Sequence, residues 1–586
     1  MRKEFSISND KVLINFTAKY CSTFEELVES EGFRKVIETY LKKSKKKVTL
    51  SWRYLRSGLK TEDVSQISKN LSKIFKYCTV MNVDEIVEAN PNYHDLFLDK
   101  DNFIAFVEDL YLFWRRLERY TIIHSNKRQD GLSAVSFTQA NSSLSNLILK
   151  LYRKVEKNVL GYKPNVFRQI PVGGNASIVI NKILWPIPKG YEALEDIEFI
   201  DSILLETPFI TYPKKNTRSG MFTEIDTNPL TYASLNKDHW FCYPAKVGDL
   251  LAFVYFNVAF MAQGVALCNL FELASEEEYR NRKPDIIYVY GYEDGKMNQS
   301  FYQDDENDMM VALLSASDDF DYFGYMKKMM LTLHNVRKIN QRQLPIHGAM
   351  VKITLHSGEV KNIVVMGDSG AGKSETIEQI KVFGAAYIRD LVTVYDDMGV
   401  LLLDEEGKVK TSGTEIGAFV RLDDLDAGYS FKELDRSVFM NPDKVNARIV
   451  IPITDYKDVV AHHDVDFFLY ANNYEEGGES LSFFDDVNSA LDVFRAGNRM
   501  AKGTTTEYGL VGSYFANPFG PVQREEQTEV ILVDYFNRMF KQGVKVGQLR
   551  TRLGIKGNEH KGPQEAATAI LKYITGEDEL KQLEEE

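Results

Sequence analysis

The sequence predicts a mixed α/β protein with several mixed sheets and a helical region ahead of them. Three observations carry this expectation. Through about residue 165, apolar residues recur at helical spacing. From about 166 to 345, short β-rich runs alternate with helices. From about 346 onward, a glycine-rich turn sits between an apolar β-type run and a helical pattern. The changes of pattern divide the chain into 1–165, 166–345 and 346–586.

Length and charge bound the function. A chain of 586 residues has room for three or four domains and ample buried core. Its formal charge of −13 argues against a general nucleic-acid binder, which would carry a basic surplus. The run Lys42-Lys43-Ser44-Lys45-Lys46-Lys47 is short and isolated, and it reads as a solvated helix end. Cys21, Cys78, Cys242 and Cys268 are scattered with no C-x-x-C pairing, which is free-thiol usage in a reducing compartment. The start, Met1-Arg2-Lys3-Glu4-Phe5, lacks the apolar region of a signal peptide. Leu250 to Phe271 carries no charge and is long enough to span a bilayer, but Asn257, Gln263, Gly264 and Asn269 interrupt it. It reads as a helix buried in a large core, so the expectation is a cytoplasmic protein without a membrane or nucleic-acid partner.

Taken in order, Phe103, Phe106, Val107, Leu110, Trp114 and Leu117 share one helical face, with Asp101 placed as an N-cap. Leu144, Leu147, Ile148, Leu151 and Val155 repeat the pattern, and Gly161 with Pro164 supplies a stop. This part holds no recognisable catalytic set and reads as an accessory domain. Next, Ala176 to Leu184 alternates weakly, Ser202 to Tyr212 is strand-like, and Asp285 to Gly291 is an apolar strand ending in glycine. In Asp321 to Met330, the adjacent Lys327 and Lys328 lie among aromatic residues and methionines, company that favours a partly desolvated amine.

The third part carries the sharpest signal. The run Asn362 to Met366 feeds Gly367-Asp368-Ser369-Gly370-Ala371-Gly372-Lys373-Ser374, which fits the phosphate-binding pattern G-x-x-x-x-G-K-[ST]. Glycines let backbone N–H groups turn inward around a polyphosphate, Lys373 reaches the β- and γ-phosphates, and the Ser374 hydroxyl suits Mg²⁺. The helix read from Ser374 to Phe383 points its positive end at the same anion. Leu391 to Tyr395 reads as a strand delivering Asp396 and Asp397, where an acidic pair completes a metal site. Further strands are expected at Ala447 to Ile453 and Val465 to Tyr470. Ala501 to Gly509 has the composition of a mobile loop, and Glu577 to Glu586 that of a solvated tail. His462-His463-Asp464 resembles a metal cluster, yet it precedes a strand and is read as surface.

Over about residues 200 to 575, these pieces resemble the ATP-dependent phosphoenolpyruvate carboxykinases, in the family's order. Thr217-Arg218-Ser219 is similar to its Gly-Arg-Ser element, and Lys283-Pro284-Asp285-Ile286-Ile287 to a strand entry in its N-terminal domain. Tyr322 to Lys328 is similar to Tyr-Gly-Gly-Glu-Met-Lys-Lys, with His347 where the metal-binding histidine falls. Asp396-Asp397 resembles the Asp-Asp metal element, and Asn446-Ala447-Arg448 the start of Asn-Thr-Arg-Val. Gly503 to Gly509 takes the place of the lid, and Ala516 to Gly520 that of the segment after it.

The resemblance implies a two-lobed fold and conversion of ATP and oxaloacetate to phosphoenolpyruvate, ADP and CO₂. It also implies Mn²⁺ ligands at Lys328, His347 and Asp397, substrate contacts at Arg218, Tyr322, Lys327 and Arg448, and Mg²⁺ at Ser374 with the nucleotide. There are departures. Ser374-Glu375 replaces Thr-Thr, and the longer match Gly-Asp-Ser-Gly-x-Gly-Lys-Ser-Glu is similar to HPr kinase/phosphorylase. The lid reads Thr506-Glu507-Tyr508-Gly509 in place of Thr-Glu-Arg-Gly. The adenine-flanking arginine is absent, with Lys561 the nearest basic residue. A kinase of the same fold acting on another small molecule or a protein serine is the alternative these departures leave open.

Overall fold

The computed structural model describes residues 5–8, 11–16, 21–123, 134–161, 165–170, 174–368, 370–422, 433–501 and 509–576. The chain forms two compact units, Met1–Pro164 and Asn165–Glu586. Residues 166–345 and 346–586 both fall within the second.

The first unit is mostly helical. Helices Glu31–Lys47, Val64–Cys78, Lys100–Arg116 and Ala134–Leu160 are its longest described elements. Ile37, Leu41, Ile67, Leu71, Phe103 and Phe106 are fully enclosed within it. The basic run is the exposed end of Glu31–Lys47, where cations complement the helix dipole. Asp101 is not the N-cap of its helix. Asp99 is, since its extended backbone lets the carboxylate accept from the Asn102 N–H, leaving Asp101 in the first turn. The unit also holds a small sheet that helical periodicity does not reveal. Its strand Lys11–Phe16 pairs antiparallel with Phe5–Ser8 and parallel with Glu118–Ile123, a partner about a hundred residues away.

The second unit is mixed α/β. Its first sheet has ten strands, with Trp240–Val247, Leu250–Asn257, Ile286–Tyr292 and Met309–Ser315 side by side at the centre. Here the sequence reading of Leu250 to Phe271 is corrected. Residues Leu250–Asn257 are a strand buried at every position, and only short helical turns follow, among them Met261–Ala266. A strand buried on both faces is charge-free for the same reason a core helix is, so charge could not separate them. Among the described residues, no helix is long and apolar enough to cross a membrane. Ser202 to Tyr212 is likewise two elements in different sheets. Glu198–Leu205 belongs to the first, whereas Phe209–Thr211 pairs with Val438–Met440 in a four-stranded sheet.

The nine-stranded sheet positions the site. At its centre, Leu344–Leu355 lies antiparallel to Val360–Met366, which runs parallel to Phe467–Asn472. Alternation sends Ile363 and Val365 to one face, against helices Lys373–Phe383 and Lys561–Thr575. Val364 and Met366 face the other side, against helices Val487–Ala496 and Glu525–Gln542. The strand Leu344–Leu355 also changes partner along its length. Leu344 to His347 pair with Met398–Leu403, and Gly348 to Thr354 pair with Val360–Met366. Helix Phe323–Asn340 is buried at fifteen of its eighteen positions, with Met326 to Val336 in the core of the first sheet and Ile339 in that of the second.

Candidate active site

The glycine-rich segment leaves strand Val360–Met366 and enters helix Lys373–Phe383, one residue earlier than expected. Gly372 has φ +93°, and a Cβ there would lie 2.6 Å from Thr551, so conformation and space both demand glycine. Two side chains outside the motif pin the turn. Thr551 Oγ1 donates to the Ala371 carbonyl (2.6 Å) and Asn473 Nδ2 to the Gly370 carbonyl (2.9 Å). Lys373 curls back on the turn, donating to the carbonyls of Gly367 (2.6 Å) and Asp368 (3.2 Å). Arg499 Nε donates to the Asp368 carboxylate at 2.7 Å. Ser369 and the lid stretch 503–508 lie outside the described residues.

Strand Ile388–Tyr395 ends where expected, and the two acids after it diverge. Asp396 faces the turn and accepts from Ser374 Oγ at 2.9 Å. Asp397 faces away and gathers three partners. Its Oδ2 lies 2.7 Å from Lys327 Nζ and 3.0 Å from Lys328 Nζ, and its Oδ1 lies 2.8 Å from His347 Nε2. Backbone bonds fix the spacing of these segments, because Gly348 N–H donates to the Asp397 carbonyl and Gly367 N–H to the His347 carbonyl, both at 2.9 Å.

The electrostatics separate the two lysines. Burial pulls both amines down, but Lys327 is flanked by Asp397 and Glu415 and ends above its ordinary range. Lys328 ends below it, since burial and the neighbouring Lys327 charge outweigh Asp397. Burial would raise the Asp397 carboxyl, yet Lys327, Lys328 and His347 together hold it far below the usual carboxylate range. His347 is lowered by burial and by Lys373, against the pull of Asp397. Its Nδ1 faces the Ala516 carbonyl at 3.2 Å, which can only accept, so Nδ1 carries the proton. Nε2 faces the Asp397 carboxylate at 2.8 Å, a spacing that requires a proton or a cation between the two. With the Lys328 amine beside them, this is a donor set that fits a divalent cation. It contains only one histidine and one carboxylate, and no group of three or more His, Cys, Asp and Glu suited to a metal occurs among the described residues.

On the other side of the lysines lie two arginines, each against aromatic rings. The Arg218 guanidinium is 4.9 Å from the Phe222 ring and 5.7 Å from that of Phe519, which is also 4.6 Å from Lys328 Nζ. Arg448 stands 5.5 Å from the Phe419 ring and donates to Asn446 Oδ1 at 3.0 Å. Between them is Tyr322, buried, with its hydroxyl raised by desolvation and opposed by the charges of Arg448, Arg218 and Lys327. Arg218, Tyr322, Lys327, Lys328, His347, Asp397 and Arg448 therefore form one connected cluster, and the Ser374–Asp396 bond marks the adjoining end of the turn. Lys561 is different. It is an exposed residue opening its helix, 3.4 Å from Glu565. His463 does not precede a strand: His463–Asp464 is a half-buried edge strand, and the His463 ring bonds the Asp458 carbonyl.

Sequence reasoning missed two members of the pocket, Glu415 and Phe519. Glu415 is buried 3.0 Å from Lys327 and stands in an otherwise uncharged stretch, the one local sign available. Phe519 follows Phe515 and Ala516, whose φ values of 52° and 46° put non-glycine residues in the left-handed region. That turn aims the Ala516 carbonyl at His347. Comparison with protein-family models and with curated proteins returned no match for this chain.

Glu415 yields a pH prediction. Burial pushes its carboxyl up to about 7, against the pull of Lys327. A group with a raised folded pKa contributes stability present below its unfolded pKa and lost as pH rises through the folded one. In chelator-treated protein, the wild-type melting temperature should therefore fall relative to Glu415→Gln between pH 5 and pH 8. Parallel melting curves for the two proteins over that range would refute the assignment.

Proposed function

We propose that the chain is a metal-dependent phosphotransferase with a two-lobed, phosphoenolpyruvate carboxykinase-like fold, converting ATP and oxaloacetate to phosphoenolpyruvate, ADP and CO₂. One observation carries the reading: Lys327, Lys328 and His347 converge on the single carboxylate of Asp397, beside two aromatic-backed arginines. On this reading the turn Gly367 to Ser374 is the phosphate-binding loop. Its backbone amides and Lys373 would hold the triphosphate, and Ser374 and Asp396 would hold its Mg²⁺. A second divalent ion, Mn²⁺ by resemblance, would be held by Lys328, His347 and Asp397, where it would polarise the enolate oxygen and the transferring phosphoryl group. A lysine ligates only as the neutral amine, and Lys328 is the one whose proton affinity is lowered.

The remaining chemistry belongs to the side chains. Arg218 and Arg448 suit bidentate contacts to carboxylate and phosphoryl oxygens, and ring stacking fixes their planes. When the C–C bond to the departing CO₂ breaks, its electron pair passes into the enolate, whose oxygen attacks the γ-phosphorus as the bond to ADP breaks. Lys327, kept cationic by Asp397 and Glu415, offers charge to the transferring group throughout. The buried thiols of Cys78, Cys242 and Cys268 agree with a reducing, cytoplasmic setting.

Purified protein given oxaloacetate, ATP, Mg²⁺ and Mn²⁺ is expected to release CO₂ and phosphoenolpyruvate in equal amounts. Nucleotide binding without either product would refute the carboxykinase reaction. It would favour a kinase of the same fold with another acceptor, to which the Lys373-Ser374-Glu375 ending also inclines.

A further inference from the structure

Arg218 sits in an irregular segment, residues 212–222, that no sheet ladder holds. Two sets of contacts fix it: Asn441 Nδ2 donates to the Pro213 carbonyl (2.8 Å) and Asn446 Nδ2 to the Asn216 carbonyl, and the start of helix Phe323–Asn340 supplies the rest. Lys214 N–H donates to the Asp321 carboxylate (2.9 Å) and Lys215 N–H to the Asp321 carbonyl (3.1 Å), which anchors the near end. Beside the arginine itself, one hydroxyl does the holding. Tyr325 Oη accepts from Ser219 N–H at 3.0 Å and donates to the Ser219 carbonyl at 3.3 Å. Tyr325 is almost wholly buried, its ring is edge-on to Phe320, and its backbone carbonyl accepts from Tyr288. It cannot move without the helix.

We infer that Tyr325 is the positioning residue for Arg218, setting the distance between that guanidinium and the two lysines that follow in the same helix. This inference rests on the acceptor pocket proposed above. A tyrosine hydroxyl has one proton to give and lone pairs to accept with, so both backbone groups of Ser219 are matched by a single rigid side chain. Arg218 then meets an incoming carboxylate already oriented, with little freedom left to lose on binding. Without the hydroxyl, the segment keeps its Asp321, Asn441 and Asn446 anchors and the Arg218 bond to the Gly220 carbonyl, but the Ser219 peptide groups beside the arginine lose their bonds to Tyr325. The fold stays; the aim is lost.

The test is a double-mutant cycle of Tyr325→Phe and Arg218→Ala in the full chain, with oxalate as the dicarboxylate probe and calorimetric affinity as the readout. Tyr325→Phe should weaken oxalate binding about tenfold, with ATP affinity and melting temperature held near wild type. In the Arg218→Ala background, the same change should cost almost nothing, because the residue it orients is gone. Where turnover is measurable, the loss should fall on KM for oxaloacetate more than on kcat. Undiminished oxalate affinity in Tyr325→Phe, or equal losses with and without Arg218, would overturn the role. So would a parallel loss of ATP affinity, which marks general damage, or a wild-type protein that binds no oxalate. Coupled oxalate binding without phosphoenolpyruvate formation would refute the reaction and leave the positioning role intact.

Discussion

Asp397→Ala is expected to abolish phosphoryl transfer, lowering kcat/KM by about a thousandfold or more, and to cost about 3 kcal/mol of stability. Both effects follow from the number of groups that share one carboxylate. Asp397 lies within 3.0 Å of two lysine amines and one imidazole, in a pocket where Lys327 and His347 are each about 1% exposed. Removing it leaves buried cations facing one another, a larger penalty than the loss of a surface pair. Lys327 keeps its ion pair with Glu415, whereas Lys328 is left against the Phe519 ring with Glu415 farther off. Denaturant unfolding measures the first effect, Mn²⁺ titration and turnover the second. A variant retaining activity within tenfold of wild type would remove Asp397 from the chemistry.

Lys373→Ala should be as damaging to turnover and far milder to the fold. Among the described residues its ammonium bonds to the carbonyls of Gly367 and Asp368, while Thr551 and Asn473 hold the turn independently. Loss of the side chain therefore leaves the loop's shape but, on the proposed function, removes the charge that would meet the β- and γ-phosphates. A fall of about a thousandfold in kcat/KM is expected, with ATP affinity reduced and unfolding midpoints shifted little. If ATP affinity and turnover survive in Lys373→Ala, the turn is not a phosphate-binding loop.

What was legible in the sequence was local. The strand, turn and helix around Gly367 follow one another without a break, so periods of two and 3.6 residues and the glycine spacing suffice to find them. Lys327 and Lys328 stood out because their apolar neighbours lie beside them in the chain. Glu415 and Phe519 did not, since both lie in irregular connections outside the strands, where neither period gives their direction, although Glu415 is the one charge in its stretch and Phe519 lies in the segment after the lid. The small sheet in the first unit was hidden for another reason, its strand Lys11–Phe16 being completed by Glu118–Ile123. Leu250 to Phe271 shows a different limit. Absence of charge reports burial, and burial does not distinguish a strand from a helix. At Asp99 and Asp101, two acids compete for one cap, and backbone geometry decides between them.

The main-chain bonds from Gly348 to Asp397 and from Gly367 to His347 have a consequence for how such a pocket changes over evolutionary time. They tie the three segments together through peptide groups alone, so the separation of the Cα positions does not depend on which side chains occupy them. Reactive groups mounted on that frame are interchangeable parts. A lineage could exchange His347 or Asp397 for other groups while the glycine-rich turn stays in register, and change the chemistry without first losing the fold.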